Sequence, residues 1–399
     1  MNKNLYIIGA GTGSEDYLTQ KAVRLIQTCD AVFSTTHRLS KLFITLRGDI
    51  SEYPMDKIPE IIQMSHFHNI ALLVSGDTGF FSIAGTIIQR LPVKINVEVV
   101  CGISCLQYFC SKIGCSYENM KVISLHGREK SLLGAISYNP TVFVLTGGNN
   151  KAHMVCKNLM DNDMGEIKAI AGENLSMPQE RIVEGTVKEL SQYVFEDLTV
   201  LFFKNPDYVN CHLPLCDSDF VRGNVPMTKE EVRAVTLSKL AVAPEDIVYD
   251  IGAGTGSVAI SMARRAFDGC VYAVEQKGEA IELIRENQKR LGTGNVVAVH
   301  GSAPQALADL PRPDKAFIGG TGGNMKEIVR ALLDKNPFIR LAANAVTLES
   351  LNEAVNSFEN HGLETAVTCI NASYSRKVGG YHMMTANNPV YVISGTVKK

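Results

Sequence analysis

The chain is 399 residues long, enough for two or three domains with apolar cores of their own and too long for a small disulfide-stapled scaffold. Lysine and arginine number 39 against 41 aspartates and glutamates, so the formal charge of −2 gives no global field that would draw nucleic acid. With 45% hydrophobic and 20% charged residues the composition excludes a disordered chain.

The amino-terminal stretch Met1–Gly11 reads as a strand and turn rather than a signal peptide. No apolar run approaches the roughly 18 to 20 residues of a membrane-crossing helix. Ten cysteines without an export signal are expected as free thiols, so a cytoplasmic protein with no membrane and no nucleic-acid partner is expected. An apolar strand at Leu5–Ile8 enters the turn Gly9-Ala10-Gly11-Thr12-Gly13, followed by a helix near Thr19–Thr28 and a strand at Ala31–Ser34, a βαβ opening. Further strands are predicted at Ile70–Val74, Val97–Val100, Lys121–Ser124, Thr141–Leu145 and Leu198–Phe203. Periodicity then fades between Asn205 and Val225, where Pro206, Pro214 and Gly223 accumulate. A helix follows over Thr228–Lys239, with Thr228 as N-cap and Glu230 and Glu231 in its first turn. A second βα series has strands at Ile247–Ile251, Val271–Val274, Val296–Val299, Lys315–Ile318, Ala342–Thr347, Thr365–Asn371 and Val390–Ser394. The predicted organisation is two α/β domains, residues 1–208 and 226–399, joined by a connection at 209–225.

The strongest local signal is Asp250-Ile251-Gly252-Ala253-Gly254-Thr255-Gly256-Ser257, where a strand ends in an acid and a glycine turn opens the helix Ser257–Ala266. In a dinucleotide site Asp250 would repel the pyrophosphate, but it can accept from an ammonium or hydroxyl, which favours S-adenosylmethionine. Glu275 ends the next strand and is placed to accept from two ribose hydroxyls. The turn Gly301-Ser302-Ala303 after the third strand would edge an adenine. An NAD-dependent oxidoreductase and an RNA methyltransferase remain the alternatives.

The second half resembles the corrin C-15 methyltransferase and decarboxylase family. The resemblance is carried by Pro226–Arg233, Asp250–Gly256, Gly301–Leu307, Ile318–Gly323 and His382-Met383-Met384 with Asn388-Pro389-Val390. The first half resembles the tetrapyrrole methylase family in its corrin C-5 branch, through Ile8–Gly13, Leu73–Ser82, Cys101–Tyr108, Ser124–Arg128 and Gly172–Ser176. Together, in this order, they imply a fused bifunctional enzyme. Its first domain would be tetrapyrrole methylase-like and α/β; its second would be a Rossmann-like class I methyltransferase domain. The resemblance implies methylation of a precorrin or cobalt-precorrin at carbons 5 and 15, with decarboxylation of the carbon-12 acetate, in cobalamin biosynthesis. It implies two S-adenosylmethionine sites, one at Ser75, Gly76, Asp77, Gly102, Ile103 and Ser104. The other comprises Thr228, Asp250, Gly252, Gly254, Gly256, Glu275 and Ala303. The first glycine loop, with Gly11, falls to the macrocycle side of its cleft, so Asp30 is not expected to hold a ribose. The subunits it resembles assemble, so a homo-oligomer is expected.

A macrocycle rich in carboxylates calls for basic partners, and Arg128, Arg233, Arg376 and Lys377 are the candidates. Gly320 and Gly322, in the turn after the fourth strand of the second series, would let a flat ring approach closely. Tyr381 and His382 are weaker candidates for proton handling. No catalytic residue is assigned, and the spacing of Cys101, Cys105, Cys110 and Cys115 does not suggest a metal site.

Overall fold

The computed structural model of the chain describes residues 3–92, 94–127 and 130–397. The architecture is α/β, in two compact units. The first falls within Met1–Arg128, Thr141–Lys157 and Glu166–Phe203, the second within Glu129–Pro140, Asn158–Gly165 and Lys204–Lys399.

The first unit opens with strands β1 (Asn4–Gly9), β2 (Ala31–Ser34), β3 (Ser51–Glu52), β4 (Asn69–Val74) and β5 (Asn96–Val100), in the spatial order β3-β2-β4-β1-β5. These strands pair in parallel throughout, and the continuous apolar runs reflect burial on both faces. Leu5 and Ile7 point into one core with Ala84 and Ile87 of helix Ala84–Arg90; Ile8 and Ala10 point into the other with Ala22 and Ile26 of helix Gln20–Thr28. The chain therefore leaves the adjacent strands β1 and β4 toward opposite faces. That divergence opens a crevice at their carboxyl ends, the usual place for a ligand in such a sheet. The crevice floor is backbone on backbone. A Cβ on Gly102 would lie 2.5 Å from the Gly76 carbonyl oxygen and 2.6 Å from that of Gly9. A second sheet follows, with β6 (Lys121–Ser124), β7 (Thr141–Leu145), β8 (Lys168–Glu173), β9 (Arg181–Thr186) and β10 (Thr199–Lys204) in the order β6-β7-β10-β8-β9.

The second unit carries β11 (Ile247–Ile251), β12 (Cys270–Glu275), β13 (Val296–His300), β14 (Lys315–Ile318), β15 (Arg340–Ala345), β16 (Leu363–Ile370), the hairpin β17 (Ser373–Val378) and β18 (Tyr381–Ala386), and β19 (Val390–Val397). Seven form one sheet, β13-β12-β11-β14-β15-β19-β16; β11 to β15 are parallel, and β19 runs antiparallel to β15 and β16. The strand order again reverses at β11, between β12 and β14.

Several elements differ from the sequence-based reading. The helix expected from Thr228 begins at Glu230. Lys229 occupies the cap position without a side-chain bond, and the Thr228 carbonyl accepts instead from Arg233 Nη1 at 2.6 Å. The strand expected to reach Thr347 stops at Ala345, because the Thr347 hydroxyl caps helix Leu348–Asn360 by accepting from Ser350 N–H at 3.1 Å. Strands β8 and β9 and the β17–β18 hairpin have no counterpart in the sequence-based reading. The hairpin carried a usable signal in the pair Gly379-Gly380, with Gly379 at φ +58°.

Replacing Gly102 by alanine drives a methyl group into two carbonyl oxygens. The substitution is expected to destabilise the first unit by about 2 to 4 kcal/mol, read as an earlier transition in chemical denaturation.

Candidate active site

The two strand-order reversals supply two candidate sites. In the second unit the loops after β11, β12, β13 and β14 enclose a cavity of about 530 Å³. Thr228, Asp250, Gly252, Gly254, Glu275, Ala303, Gly320 and Gly322 all line it. Gly252 has no room for a side chain: its Cβ would meet Gly320 N at 2.7 Å, so the β11 and β14 turns touch through their backbones. Gly256 does not line the cavity; at φ +76° it is the N-cap of helix Ser257–Arg265, packed on Ile284.

The two acids have opposite environments. Glu275 is held by three backbone donors, Gly254 N–H to Oε2 at 3.0 Å and the N–H groups of Gln276 and Lys277 to Oε1 at 2.9 and 3.0 Å. Its orientation is thus fixed: both acceptor positions of Oε1 are filled, and Oε2 keeps one for a hydroxyl. Asp250 is fully buried and neither carboxylate oxygen has a partner. Burial raises its pKa to about 7; the backbone N–H of Ala259 opposes the rise in part and the nearby Glu275 charge adds to it. A buried carboxylate without partners is stabilised by a cation or a donor entering the cavity. Two further groups without partners line the same space, Thr255 Oγ1 and Asn344 Nδ2. Both escaped the sequence-based reading, although Asn344, a lone amide in the apolar run of β15, carried a signal.

The basic candidates are not gathered there. Arg233, a predicted carboxylate binder, is turned inward and is 2% exposed. Its guanidinium donates to Asp217 Oδ1 at 2.7 Å and to the carbonyls of Thr228 and Leu215 at 2.6 and 2.9 Å, and it stacks over Phe220. It fastens the segment before its helix and has no face left for a substrate. Arg376 and Lys377 lie exposed on β17, and Tyr381 and His382 exposed on β18; none of the four lines the cavity. Arg128 lies outside the described residues.

In the first unit the loops after β1, β4 and β5 meet at the crevice. Gly11 and Gly76 exchange backbone hydrogen bonds of 3.1 and 2.9 Å. Asp77 is committed to backbone, accepting from Gly79 N–H at 2.8 Å and Gly102 N–H at 3.1 Å. Ser104 caps helix Cys105–Ile113 in a reciprocal pair with Gln107, and Ile103 packs against the core that holds Phe109. Ser75 is exposed at the rim, its Oγ accepting from Arg38 Nη2 at 3.0 Å. Asp30 accepts from the N–H groups of Asn69 and His68 at 2.7 and 3.0 Å, bonds that hold its carboxyl below the usual range and leave it a structural acid. None of the ten cysteines is joined in a disulfide, and among the described residues no group of three or more His, Cys, Asp or Glu could hold a metal ion.

Residues 219–397 match the family model for the precorrin methyltransferase domain, and residues 4–191 match that for tetrapyrrole (corrin/porphyrin) methylases. A protein of Pyrobaculum calidifontis named "Probable cobalt-precorrin-6B C(15)-methyltransferase (decarboxylating)" is 42% identical over 172 residues, 43% of this chain and 88% of that one. The chain belongs to the precorrin methyltransferase family. Among solved structures, precorrin-6y C5,15-methyltransferase from Geobacter metallireducens matches 47% of this chain and 97% of that one, at 38% identity and a TM-score of 0.45. Uroporphyrin-III C-methyl transferase from Thermus thermophilus, complexed with S-adenosylhomocysteine, matches 50% and 92% at 21% identity and a TM-score of 0.42.

S-adenosylmethionine is the donor that the precorrin methyltransferase family implies, and the residues around the second cavity fit it. Asp250 offers an ammonium its missing counter-charge, and Glu275 presents a fixed acceptor position on Oε2 to a ribose hydroxyl.

The raised pKa of Asp250 has a definite sign for stability. The folded chain keeps a proton that the unfolded chain releases, so ligand-free stability falls as pH rises from about 4 to the folded pKa of about 7 and levels off above it. Asp250→Asn is therefore expected to raise the melting temperature of the ligand-free chain more at pH 8 than at pH 5. The same variant is expected to weaken S-adenosylhomocysteine binding in the second unit at least tenfold by calorimetry.

Proposed function

We propose that this chain is a bifunctional enzyme that methylates a precorrin or cobalt-precorrin at carbons 5 and 15. It also removes carbon dioxide from the acetate on carbon 12, drawing on S-adenosylmethionine at two separate sites. The observation that carries this reading is the partnerless Asp250 carboxylate facing the same cavity as the backbone-held Glu275. The division into 1–208 for carbon 5 and 226–399 for carbon 15 and decarboxylation is supported in outline by the two family spans, 4–191 and 219–397, the second of which begins inside the expected connection at 209–225.

Bound S-adenosylmethionine supplies a methyl group on a cationic sulfur that a nucleophilic ring carbon displaces in line. Asp250 binds the donor's ammonium, Glu275 a ribose hydroxyl, and Ala303 edges the adenine. Gly320 and Gly322 leave room at the cavity mouth for a flat macrocycle, and Arg376, exposed on β17 outside the cavity lining, is the proposed partner of its carboxylates. In the first unit Ser75, Gly76, Asp77, Gly102, Ile103 and Ser104 form the donor side, with Gly11 on the macrocycle side. With no acid or base demanded by the displacement, holding two carbons in contact is the main task. For decarboxylation the cavity wall strips water from the departing carboxylate, while the bond's electron pair passes into the conjugated ring.

No helix among the described residues is long and apolar enough to cross a membrane. The proposal includes a cytoplasmic setting and a homo-oligomer. The exposed hairpin supports the latter, since it presents Val378, Tyr381, Met383 and Met384 to solvent.

Calorimetric titration with S-adenosylhomocysteine is expected to approach two equivalents per chain, with NAD and RNA as silent controls; a ceiling of one contradicts the two-site reading. Glu275→Ala is expected to weaken one of the two sites by about 1 to 3 kcal/mol and spare the other. Light scattering is expected to give a multiple of the 43.5 kDa chain mass.

A further inference from the structure

We propose that Arg38 is a carboxylate-binding residue of the first unit's crevice, receiving a carboxylate of a bound ligand beside Ser75. This rests on the reading of that crevice as a methyl-transfer site. Arg38 sits on the short helix His37–Leu42 that follows β2. Strand β2 pairs in parallel with β4, Ser34 opposite Leu73, so this helix and the Ser75 turn leave neighbouring strands at the same end of the sheet.

What sets Arg38 apart is its missing partner. Arg47, also half-buried, donates to both oxygens of Asp49 and to the carbonyls of Ile26, Cys29 and Asp30. Arg38 makes one hydrogen bond, Nη2 to the neutral Ser75 Oγ at 3.0 Å, and pairs with no carboxylate among the described residues. Two acids of the adjoining segments are engaged: Asp77, two residues beyond Ser75, by the N–H groups of Gly79 and Gly102, and Glu52 by His37 Nδ1 at 3.0 Å. Burial lowers the Arg38 pKa and no neighbouring charge offsets the effect. A half-buried guanidinium without a counter-charge is unfavourable until an anion supplies it, and its planar fork matches a carboxylate with two parallel bonds. A methyl-transfer crevice offers two sources of that anion, the acetate and propionate groups of the macrocycle and the carboxylate of the donor.

The test uses the full chain and two binding equilibria. A porphyrin octacarboxylate is followed by its Soret band, and S-adenosylhomocysteine by calorimetry. Arg38→Gln is expected to weaken porphyrin binding at least tenfold with both S-adenosylhomocysteine affinities unchanged, and Arg38→Lys to recover part of the loss. Loss of one S-adenosylhomocysteine site with porphyrin binding intact would keep the carboxylate role and assign it to the donor. The proposal is overturned if both affinities in Arg38→Gln stay within twofold of wild type. It is equally overturned if Gln and Lys variants lose binding alike along with a lowered melting temperature, the mark of a packing residue. Because neither equilibrium requires turnover, a wild-type chain that binds both probes without methylating carbon 5 refutes the methylation reading and leaves this test standing.

Discussion

Close approach of bare backbone at the carboxyl ends of parallel strands is the constraint on which both sites depend. Each sheet reverses its strand order at one place, and there the loops must fold back within van der Waals distance of one another. Only glycine permits it. Gly9 and Gly102 in the first unit, and Gly252 in the second, stand where a Cβ would fall under 3 Å from a backbone atom of the facing loop. With those loops pressed together, peptide N–H groups rather than long side chains line the floor, and the remaining volume is left to a ligand.

The acids placed by these loops have different purposes because their surroundings differ. Asp77 is held by two and Glu275 by three N–H donors, which spreads their charge into the backbone and fixes their orientation. Asp250, one residue short of its turn, is sealed from water and left without a donor. The same apolar packing that builds β11 between β12 and β14 thus makes Asp250 the most electrostatically unsettled group in its cavity. Binding of a cationic donor relieves an unfavourable interaction already present in the empty fold, which is how burial becomes affinity.

Arginines follow the same logic. Arg233 spends its donors on Asp217 and two carbonyls and serves to fasten the approach to its helix, whereas Arg38 keeps most of its donors unspent at the crevice rim. Sequence position pointed to Arg233, since it lies in a motif beside the glycine turn. Its direction, inward against Phe220, depends on how the preceding segment packs.

The sequence alone determined the α/β class, the two βα series, the glycine turns and the acids at strand ends, because these rest on local rules. Buried parallel strands read as apolar runs, and a turn that needs bare backbone must be written in glycine. Most strands of the parallel sheets were placed within a few residues for that reason. Strand β9 and the hairpin β17–β18 escaped because partly or wholly exposed antiparallel strands need no such run, β8 because its mostly buried sequence Lys-Ala-Ile-Ala-Gly-Glu holds a single β-branched residue, and the Gly379-Gly380 turn was the one local mark of the hairpin. Only the tertiary structure decided that Thr228 gives its carbonyl to Arg233 instead of capping a helix, that Gly256 backs away from the cavity, and that Thr255 and Asn344 face it. Whether a polar group is satisfied depends on atoms contributed by residues far along the chain, and no local pattern carries that information.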